Sequence, residues 1–365
     1  MKKININAPS RNYDVFIGNN VINKYSSKIN SLAGYNDSII IVDSNVYRLH
    51  KEKIESMIKG LKGNVVVYKF KADEKNKSLD SLKKIFDLML RKNLGRSSFL
   101  IALGGGITGD LGGFAASVYA RGIGYIHIPT TLLAMVDSAI GGKTGINYGH
   151  TKNIIGAFYQ PESVLIDTEF IKTLPRDELL CGLGEVIKYG LLIGDDFFDY
   201  VAKNYRKAFD YNYSFLNKVI RESVSLKGSI VEKDENEKSG LRKILNLGHT
   251  FAHAIEVEQN HKIKHGQAVI AGIACALHLS NKLGMMNDEY LEKYLSLIIE
   301  FRNEIKLKQY NPETLYKIMF RDKKNKKGSI NFVLLEKAGK LIIDAEADKR
   351  DALYAINNGL QYFCE

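Results

Sequence analysis

Short apolar runs that alternate with helical segments in the N-terminal half constrain the fold of this chain more than any other feature. Four such runs begin near Ser38, Asn64, Ser98 and Tyr125. Between the second and third runs, apolar residues recur at helical spacing over 78–91, which predicts a helix with one buried face. Nearly continuous apolar strands alternating with helices predict a parallel sheet covered on both faces. Ligands of such sheets lie beyond the carboxyl ends of the strands.

The C-terminal half has a different periodicity. After about residue 175 the β-like runs become rare, and one late hairpin is predicted across Gly339. The predicted division is an α/β domain with a parallel, Rossmann-like sheet over 1–175 and a mostly α-helical domain over 176–365. Alternating residues over 1–18 predict an N-terminal strand. Helices are predicted over 178–193, 213–231, 249–257 and 268–283, and the hairpin strands over 329–335 and 340–344.

Composition excludes several classes of function. The chain has 365 residues, 45% hydrophobic and 25% charged, which is typical of a globular protein. Its net charge of +11 comes from lysines spread along the chain, without an arginine-rich helix, so we expect no nucleic-acid partner. No apolar run is long enough for a membrane span or a signal peptide. Three isolated cysteines without CxxC spacing fit reduced thiols, so we expect a cytoplasmic protein.

A glycine-rich turn follows the third apolar run and opens a helix. It contains G-x-G-x-x-G at Gly104, Gly106 and Gly109, where the backbone can approach a pyrophosphate at a helix N-terminus. The acidic residue usual about 20 positions later is missing. Instead, Asp43 ends the first strand and Glu74 lies just past the second, at the same sheet edge. Each is either a ribose acceptor or a helix cap or solvated loop charge. A carboxylate near the ribose favours NAD over NADP.

Histidines are concentrated in one stretch of the C-terminal half. Four of the eight lie there: His249, His253, His261 and His265. His249 and His253 are one helical turn apart, but the glutamate of HExxH is absent, so a zinc protease is disfavoured. Spacing alone makes both of them ligands of a metal ion. A third ligand is Glu185, which lies on an otherwise apolar helix and is alternatively neutralised by Lys188 in a buried ion pair.

A second glycine-rich segment, over 137–147, contains GKT at residues 142–144. It lacks the first glycine of a P-loop, where Asp137 stands, and no strand leads directly into it, so it is a poor nucleotide-triphosphate site. Lys152 and Asn153 follow shortly after. Polar residues of these types suit a multiply hydroxylated anion.

Six ordered blocks of this sequence resemble the 3-dehydroquinate synthase family. They spread across residues 104–269 and read GGGITGDLGGFAASVYARG, IPTTLLAMVDSAIGGKTGIN, KNIIGAFYQP, GLGEVIKYG, GLRKILNLGHTFAHAIE and HGQAV. The resemblance implies an N-terminal NAD-binding domain and a C-terminal domain that holds one divalent metal ion, zinc or cobalt. It also implies a homodimer.

The reaction implied by the resemblance converts 3-deoxy-D-arabino-heptulosonate 7-phosphate to 3-dehydroquinate and phosphate. It proceeds by transient oxidation by NAD, β-elimination of phosphate, re-reduction and intramolecular aldol closure. The product belongs to the shikimate pathway, which leads to chorismate and the aromatic amino acids. Two alternatives stay open: another sugar phosphate cyclase, and a metal-dependent polyol dehydrogenase that would release NADH.

The resemblance also implies roles for individual residues. The metal ligands become Glu185, His249 and His265, so His253 changes from a ligand to a residue on the substrate side. Arg121 is expected to reach the phosphate of the neighbouring subunit's substrate. The expected catalytic residues are Asp137, Lys143, Lys188 and His253. The expected substrate contacts are Arg121, Lys152, Asn153, Lys227, Arg242, Asn246, Lys323 and Lys324. The expected NAD contacts are Asp43, Asn45, Glu74, Lys77, Gly105, Gly106, Ile107, Thr108, Gly109, Asp110, Thr130, Thr131, Lys143, Lys152, Phe170 and Thr173.

Overall fold

The structure is a computed structural model that describes residues 1–34, 36–149, 151–321 and 330–364. Packing divides the chain into two compact units, one of Met1–Leu179 with Lys207–Lys238 and one of Leu180–Arg206 with Ser239–Glu365. Lys323, Lys324 and the start of the predicted late hairpin lie outside the described residues. Within the described ranges, no helix is both long and apolar enough to cross a membrane.

The described residues form strands and helices in the following order. The strands are β1 (Lys2–Ala8), β2 (Arg11–Gly18), β3 (Ser38–Asp43), β4 (Val65–Phe70), β5 (Phe99–Gly104), β6 (Tyr125–Pro129), β7 (Lys143–Tyr148), β8 (Thr151–Phe158), β9 (Ser163–Asp167), β10 (Asn331–Lys337) and β11 (Lys340–Glu346). The helices are α1 (Val21–Lys24), α2 (Ser26–Leu32), α3 (Ser44–Leu49), α4 (Lys51–Gly60), α5 (Leu79–Arg91), α6 (Gly106–Val118), α7 (Arg176–Ile193), α8 (Asp195–Asn204), α9 (Tyr213–Lys233), α10 (His249–Glu258), α11 (His265–Lys282), α12 (Asp288–Ile299), α13 (Pro312–Phe320) and α14 (Lys349–Leu360).

The first unit is built on a seven-stranded sheet in the order β1-β2-β9-β6-β5-β3-β4. All of its pairings are parallel except that of β1 with β2, so the predicted parallel sheet is confirmed. The carboxyl ends of β3, β4, β5 and β6 therefore meet at one edge. The single N-terminal strand predicted over 1–18 is wrong, because a turn at Pro9 and Ser10 folds it into the hairpin β1-β2.

Three strands of the first unit were not predicted. Strand β9 pairs between β2 and β6, and the strands β7 and β8 form a separate antiparallel ribbon around the GKT segment. Helix α9, although C-terminal in chain order, also belongs to this unit and packs on β1. A Cβ at Gly228 of α9 would lie 3.0 Å from Ile6, so glycine permits that close approach.

The second unit is mostly helical, with the small antiparallel sheet β10-β11 that was predicted across Gly339. Glycines bring α7 against the start of α11. A Cβ at Gly184 would lie 2.2 Å from the carbonyl oxygen of Gly266, and one at Gly266 would lie 1.8 Å from that of Cys181. No larger residue fits at either position. This contact places the next residue of α7, Glu185, near the first residue of α11, His265.

Candidate functional site

The glycine turn between β5 and α6 is shaped by close approach rather than by unusual backbone angles. A Cβ at Gly104 would lie 2.3 Å from Oγ1 of Thr108, and one at Gly109 would lie 2.2 Å from Cε1 of His127 on β6. His127 is buried, and burial lowers its pKa to about 4, so the ring is neutral near pH 7. The turn lets α6 begin directly against the sheet, with its free N–H groups at the sheet's edge.

Buried hydroxyl groups surround this turn. In the part of the chain that the structure describes, Thr108 Oγ1, Thr130 Oγ1 and Ser138 Oγ are buried and have no hydrogen-bond partner. A Cβ at Gly106 would lie 3.0 Å from Ser138 Oγ. Buried polar atoms are rarely left unpaired in native proteins. A cradle without side chains, edged by unsatisfied hydroxyls, fits the pyrophosphate of a dinucleotide.

The two carboxylates of the predicted edge are Asp43, the last residue of β3, and Glu74, which lies four residues after the end of β4. Asp43 ends β3 and accepts a hydrogen bond of 2.9 Å from the backbone N–H of Asn45, so it is also the N-cap of α3. Burial raises the pKa of Asp43, against the hydrogen bonds from the backbone of Asn45 and Ala72. Glu74 accepts a hydrogen bond of 2.8 Å from the side chain of Asn147. Asp43 can therefore be both the N-cap of α3 and an acceptor of hydrogen bonds from a ribose.

Lys77 joins the helix α6 to the β7-β8 ribbon. Its buried ammonium pairs with Asp110 and lies 2.5 Å from Oδ1 of Asn153. Asn147 donates its backbone N–H to the carbonyl of Lys77 at 2.8 Å, and its side-chain oxygen accepts from the backbone of Asn153 at 3.0 Å. The structure therefore brings Lys77, Asp110 and Asn153 together. Asn147 was not predicted to take part, although it is the last residue of the glycine-rich segment over 137–147.

The remaining cationic residues of the first unit differ in burial. Lys227 is buried and donates to Asp137 at 2.9 Å on Oδ1 and 2.8 Å on the backbone oxygen. Asp137 lies in a π-helical turn, Ala134–Ser138, a geometry frequent at functional sites. Lys143 forms an ion pair with Glu237. Lys152 and Arg121 are exposed, and Arg121 has a left-handed backbone conformation, with φ of 68°.

Phe170 and Thr173 lie in a 3-10 segment, Thr168–Thr173, that follows β9. Thr173 Oγ1 is 2.7 Å from Nε2 of His50, and the His50 ring stands edge-on to Phe170 at 4.7 Å between centroids. Phe170 is fully buried. The carboxyl end of β9 thus adds an aromatic contact to the same sheet edge, together with His50, which was not predicted.

Glu185, His249 and His265 form the one cluster of metal-ligating side chains found among the described residues. Their ligand atoms all lie within 4.8 Å of one another. Oε1 of Glu185 is 3.4 Å from Nε2 of His249 and 3.3 Å from Nε2 of His265. Ligands about 2.0 Å from a tetrahedral zinc ion are about 3.3 Å apart, so the donor set fits such an ion and leaves a fourth position open.

The two interpretations of Glu185, as a metal ligand and as the ion-pair partner of Lys188, are compatible in the structure. The ammonium of Lys188 pairs with the second oxygen of the carboxylate, Oε2, while Oε1 faces the histidines. Burial alone would raise the pKa of Glu185, but Lys188 and the two imidazoles hold it well below its usual range. Glu185 is fully buried and ionised, so it can be a metal ligand and an ion-pair partner at once.

The outward nitrogens of the two histidines have different partners. Nδ1 of His249 is 3.2 Å from the carbonyl oxygen of Leu247, whereas Nδ1 of His265 is 3.0 Å from Oε1 of Glu256. Burial and the Lys188 ammonium lower the pKa of His249. Burial opposes protonation of His265 too, but Glu185 and Glu256 raise its pKa to about 10. Glu256 was not predicted, although it lies seven residues after His249, two turns along the same helix.

Three other expected substrate residues of the second unit, His253, Arg242 and Asn246, lie on α10 or in the segment directly before it. His253 is on α10, with its ring 5.5 Å from that of His249 and 6.4 Å from that of His265, and it is outside the cluster. The ligand pair suggested by helical spacing alone, His249 with His253, is therefore not the pair that the fold assembles. Arg242, which is buried, and Asn246 lie in the 3-10 segment Leu241–Asn246 before α10.

Comparison with known proteins gives consistent matches. The family model described as 3-dehydroquinate synthase N-terminal matches residues 67–181, and the model described as 3-dehydroquinate synthase C-terminal matches residues 182–325. The 3-dehydroquinate synthase of Pelagibacter ubique is 41% identical over 350 residues, covering 92% of this chain and 93% of the relative. That of Dictyoglomus thermophilum is 38% identical over 363 residues, covering 99% of each.

Among solved structures, one of 2-deoxy-scyllo-inosose synthase complexed with carbaglucose-6-phosphate, NAD+ and Co²⁺ is similar over nearly the whole chain. The TM-score is 0.89 at 25% sequence identity, with 97% of this chain and 99% of the other covered. The likeness extends through both compact units.

Proposed function

We propose the function of this chain from one premise: the chain belongs to the 3-dehydroquinate synthase family. It is an enzyme that converts 3-deoxy-D-arabino-heptulosonate 7-phosphate to 3-dehydroquinate and phosphate, a step of the shikimate pathway. The observation that carries this function is the cluster of Glu185, His249 and His265, on a chain of which a relative covers 99%.

The enzyme uses NAD and one divalent metal ion, zinc or cobalt. The cradle at Gly104–Gly109, with its unsatisfied hydroxyls, fits the dinucleotide, and the carboxylate with two imidazoles fits the ion. When bound, NAD supplies a hydride acceptor that is restored within the turnover, and the ion supplies a Lewis acid for hydroxyl groups. The related cyclase crystallised with NAD+ and Co²⁺ supports the same pair of cofactors here.

Residues of the sheet edge hold the dinucleotide in this proposal. Asp43 and Glu74 accept hydrogen bonds from ribose hydroxyls, and the start of α6 receives the pyrophosphate. Lys77, fixed by Asp110, adds a buried positive charge beside that anion. The full proposed set is Asp43, Asn45, Glu74, Lys77, Gly105, Gly106, Ile107, Thr108, Gly109, Asp110, Thr130, Thr131, Lys143, Lys152, Phe170 and Thr173.

Cationic and amide side chains anchor the substrate's carboxylate, phosphate and hydroxyl groups. Charge-assisted hydrogen bonds to such anions are roughly twice as strong as neutral ones. Asp137, held by Lys227, lies close enough to that ammonium to share a proton with it, and Lys143, Lys188 and His253 complete the catalytic set. The proposed substrate contacts are Arg121, Lys152, Asn153, Lys227, Arg242, Asn246, Lys323 and Lys324, of which the last two lie outside the described residues.

The two parts of the chain divide the work. Residues 1–175 bind NAD, and residues 176–365 bind the metal ion and most of the substrate. Lys227 lies within residues 176–365, but it packs in the first compact unit, to which α9 belongs. The cysteines Cys181, Cys275 and Cys364 form no disulfide among the described residues, which fits a reducing compartment, and we place the enzyme in the cytoplasm.

The enzyme acts as a homodimer in which Arg121 binds the phosphate in the partner's site. The support is the exposed position of Arg121 and its left-handed backbone, which follows a second non-glycine residue with positive φ, Ala120. Such backbone is costly and persists where the surroundings impose it.

Subunit mixing tests this arrangement. We expect Arg121→Ala and His265→Ala to be inactive alone, while a refolded equimolar mixture regains about one quarter of wild-type activity. Half of the dimers are then mixed, and each mixed dimer has one site with both groups intact. Size-exclusion chromatography and turnover of the mixture measure the result. No recovery from a mixture shown to contain heterodimers would place Arg121 in its own subunit's site.

Phosphate release tests the reaction itself. With 3-deoxy-D-arabino-heptulosonate 7-phosphate, NAD and zinc, we expect phosphate release without net absorbance from NADH, and we expect EDTA to abolish it. The internal return of the hydride distinguishes this enzyme from a polyol dehydrogenase, which accumulates NADH. Absence of phosphate release by folded, metal-loaded protein would point to another sugar phosphate cyclase.

A further inference from the structure

The two imidazoles of the metal-ligating cluster differ in the group to which their Nδ1 atoms are hydrogen-bonded. Both Nε2 atoms face Oε1 of Glu185, so in the ligating form each ring carries its proton on Nδ1 and donates it outward. His249 donates to a neutral backbone carbonyl, that of Leu247. His265 donates to a carboxylate, that of Glu256, over a shorter distance of 3.0 Å.

The position of Glu256 on α10 explains how it reaches this ring. His249 is the first residue of α10, and Glu256 follows two turns later on the same face. The loop after α10 returns the chain, so that His265 opens α11 beside that face. The Glu256 side chain is only 14% exposed, and a carboxylate so poorly hydrated is costly unless its charge is offset.

We propose that Glu256 is a positioning residue that sets the affinity of the enzyme for its metal ion by orienting and polarising His265. The proposal rests on the ligand set put forward above. A carboxylate acceptor fixes the tautomer of a ligating imidazole, holds the ring's orientation and increases its basicity. A backbone carbonyl also fixes the tautomer and the orientation of the ring, but it adds no negative charge. His265 is therefore the stronger of the two nitrogen ligands.

Charge balance gives Glu256 a second effect. A divalent ion bound by Glu185 and two neutral imidazoles retains one uncompensated positive charge, and the ammonium of Lys188 adds another close by. The carboxylate of Glu256 offsets part of this charge through the His265 ring. Its removal should weaken metal binding even where the ring keeps its place.

Metal affinity measured by competition with a fluorescent chelator tests the proposal without reference to turnover. We expect Glu256→Gln, whose amide oxygen can still accept from Nδ1, to weaken the binding of Zn²⁺ and Co²⁺ by about 10-fold. Glu256→Leu, which cannot accept, should weaken it by about 100-fold. The visible spectrum of the Co²⁺ enzyme should shift in both variants, and excess metal should restore much of the turnover of Glu256→Gln.

Glu258→Gln is the matched control, because it removes the same charge from the same helix. Glu258 accepts hydrogen bonds from Gln259 and from the backbone of Asn311, away from the cluster. We expect its metal affinity to stay within about threefold of wild type. An equal loss in Glu258→Gln, or unchanged affinity and spectrum in both Glu256 variants, overturns the proposal.

The outcomes separate this inference from the proposed function. Wild-type protein that binds one metal ion through His265 but releases no phosphate contradicts the function alone, and the loss of affinity in Glu256→Gln would still support the positioning role. Metal binding that survives His265→Ala contradicts the ligand set and the positioning role together. Thermal melting of the metal-free variants shows whether each is folded, and Glu256→Gln decides the question if Glu256→Leu is not.

Discussion

Replacing His265 with alanine is expected to abolish stoichiometric metal binding and to lower kcat/KM by at least about 1000-fold. In the proposed set the ring supplies one of only three ligand atoms, and Nε2 lies 3.3 Å from the Glu185 oxygen with which it would share the ion. Two remaining ligands cannot hold an ion in a site that also keeps a position open for substrate. Metal analysis of the dialysed protein and phosphate release measure the two effects.

The matched control is His261→Ala, which removes a histidine from the same segment, four residues before His265. His261 lies outside the cluster, so metal content and turnover should stay near wild type. Glu185→Gln should also lose metal, but this variant changes stability as well as metal binding. The buried ammonium of Lys188 loses its carboxylate partner, which destabilises the fold. Full metal stoichiometry and activity in His265→Ala would refute the ligand assignment.

The regular part of the sheet could be predicted because its strands are buried on both faces. Strands β3 and β5 are continuous apolar runs, and the carboxylates and glycines that follow them fall at one edge whatever the order of the strands. Strand β9 was missed although its five residues are all buried, as are the five of β6. Runs this short have no informative periodicity, and β9 does not continue the alternation of strands and helices that identified β6. The β7-β8 ribbon was missed because glycines interrupt it.

The proposed metal ligands show where helical periodicity stops being informative. Spacing within α10 pairs His249 with His253, because a one-turn separation is visible in the sequence. His265 is sixteen residues from His249 and joins it only through the return of the chain into α11, which no local pattern encodes. The resemblance to a known family supplied that partner. Glu256 was missed by both routes, although its position at i+7 from His249 was a usable signal.

The packing of Lys227 shows the same limit in the other compact unit. Periodicity predicted α9 correctly, over 213–231 against the observed Tyr213–Lys233. Which unit the helix joins depends on contacts far away in sequence, such as that of Gly228 with Ile6 and that of Lys227 with Asp137. Chain order placed α9 in the C-terminal half, and its contacts place it with the sheet.

Gly109→Ala is expected to lower the free energy of unfolding by about 2–3 kcal/mol and to weaken NAD binding severalfold. The added Cβ would lie 2.2 Å from Cε1 and 2.5 Å from Nε2 of His127, a buried ring on β6. Neither β6 nor α6 can move away from the other without creating a cavity in the packed layer between them. The start of α6 would therefore shift at the position where we propose that its N–H groups bind the pyrophosphate. Urea unfolding and NAD titration measure the two effects.

Gly95→Ala is the matched control, since a Cβ there meets nothing within 4 Å, and it should change stability by less than about 0.5 kcal/mol. The cause of the effect at Gly109 is tested by adding His127→Ala. Removing the ring leaves space for the new methyl group, so the double variant should be more stable than the sum of the two single losses predicts, by about 1 kcal/mol or more. Additive losses would mean that the glycine is required for some reason other than the approach of His127, such as direct contact with the dinucleotide.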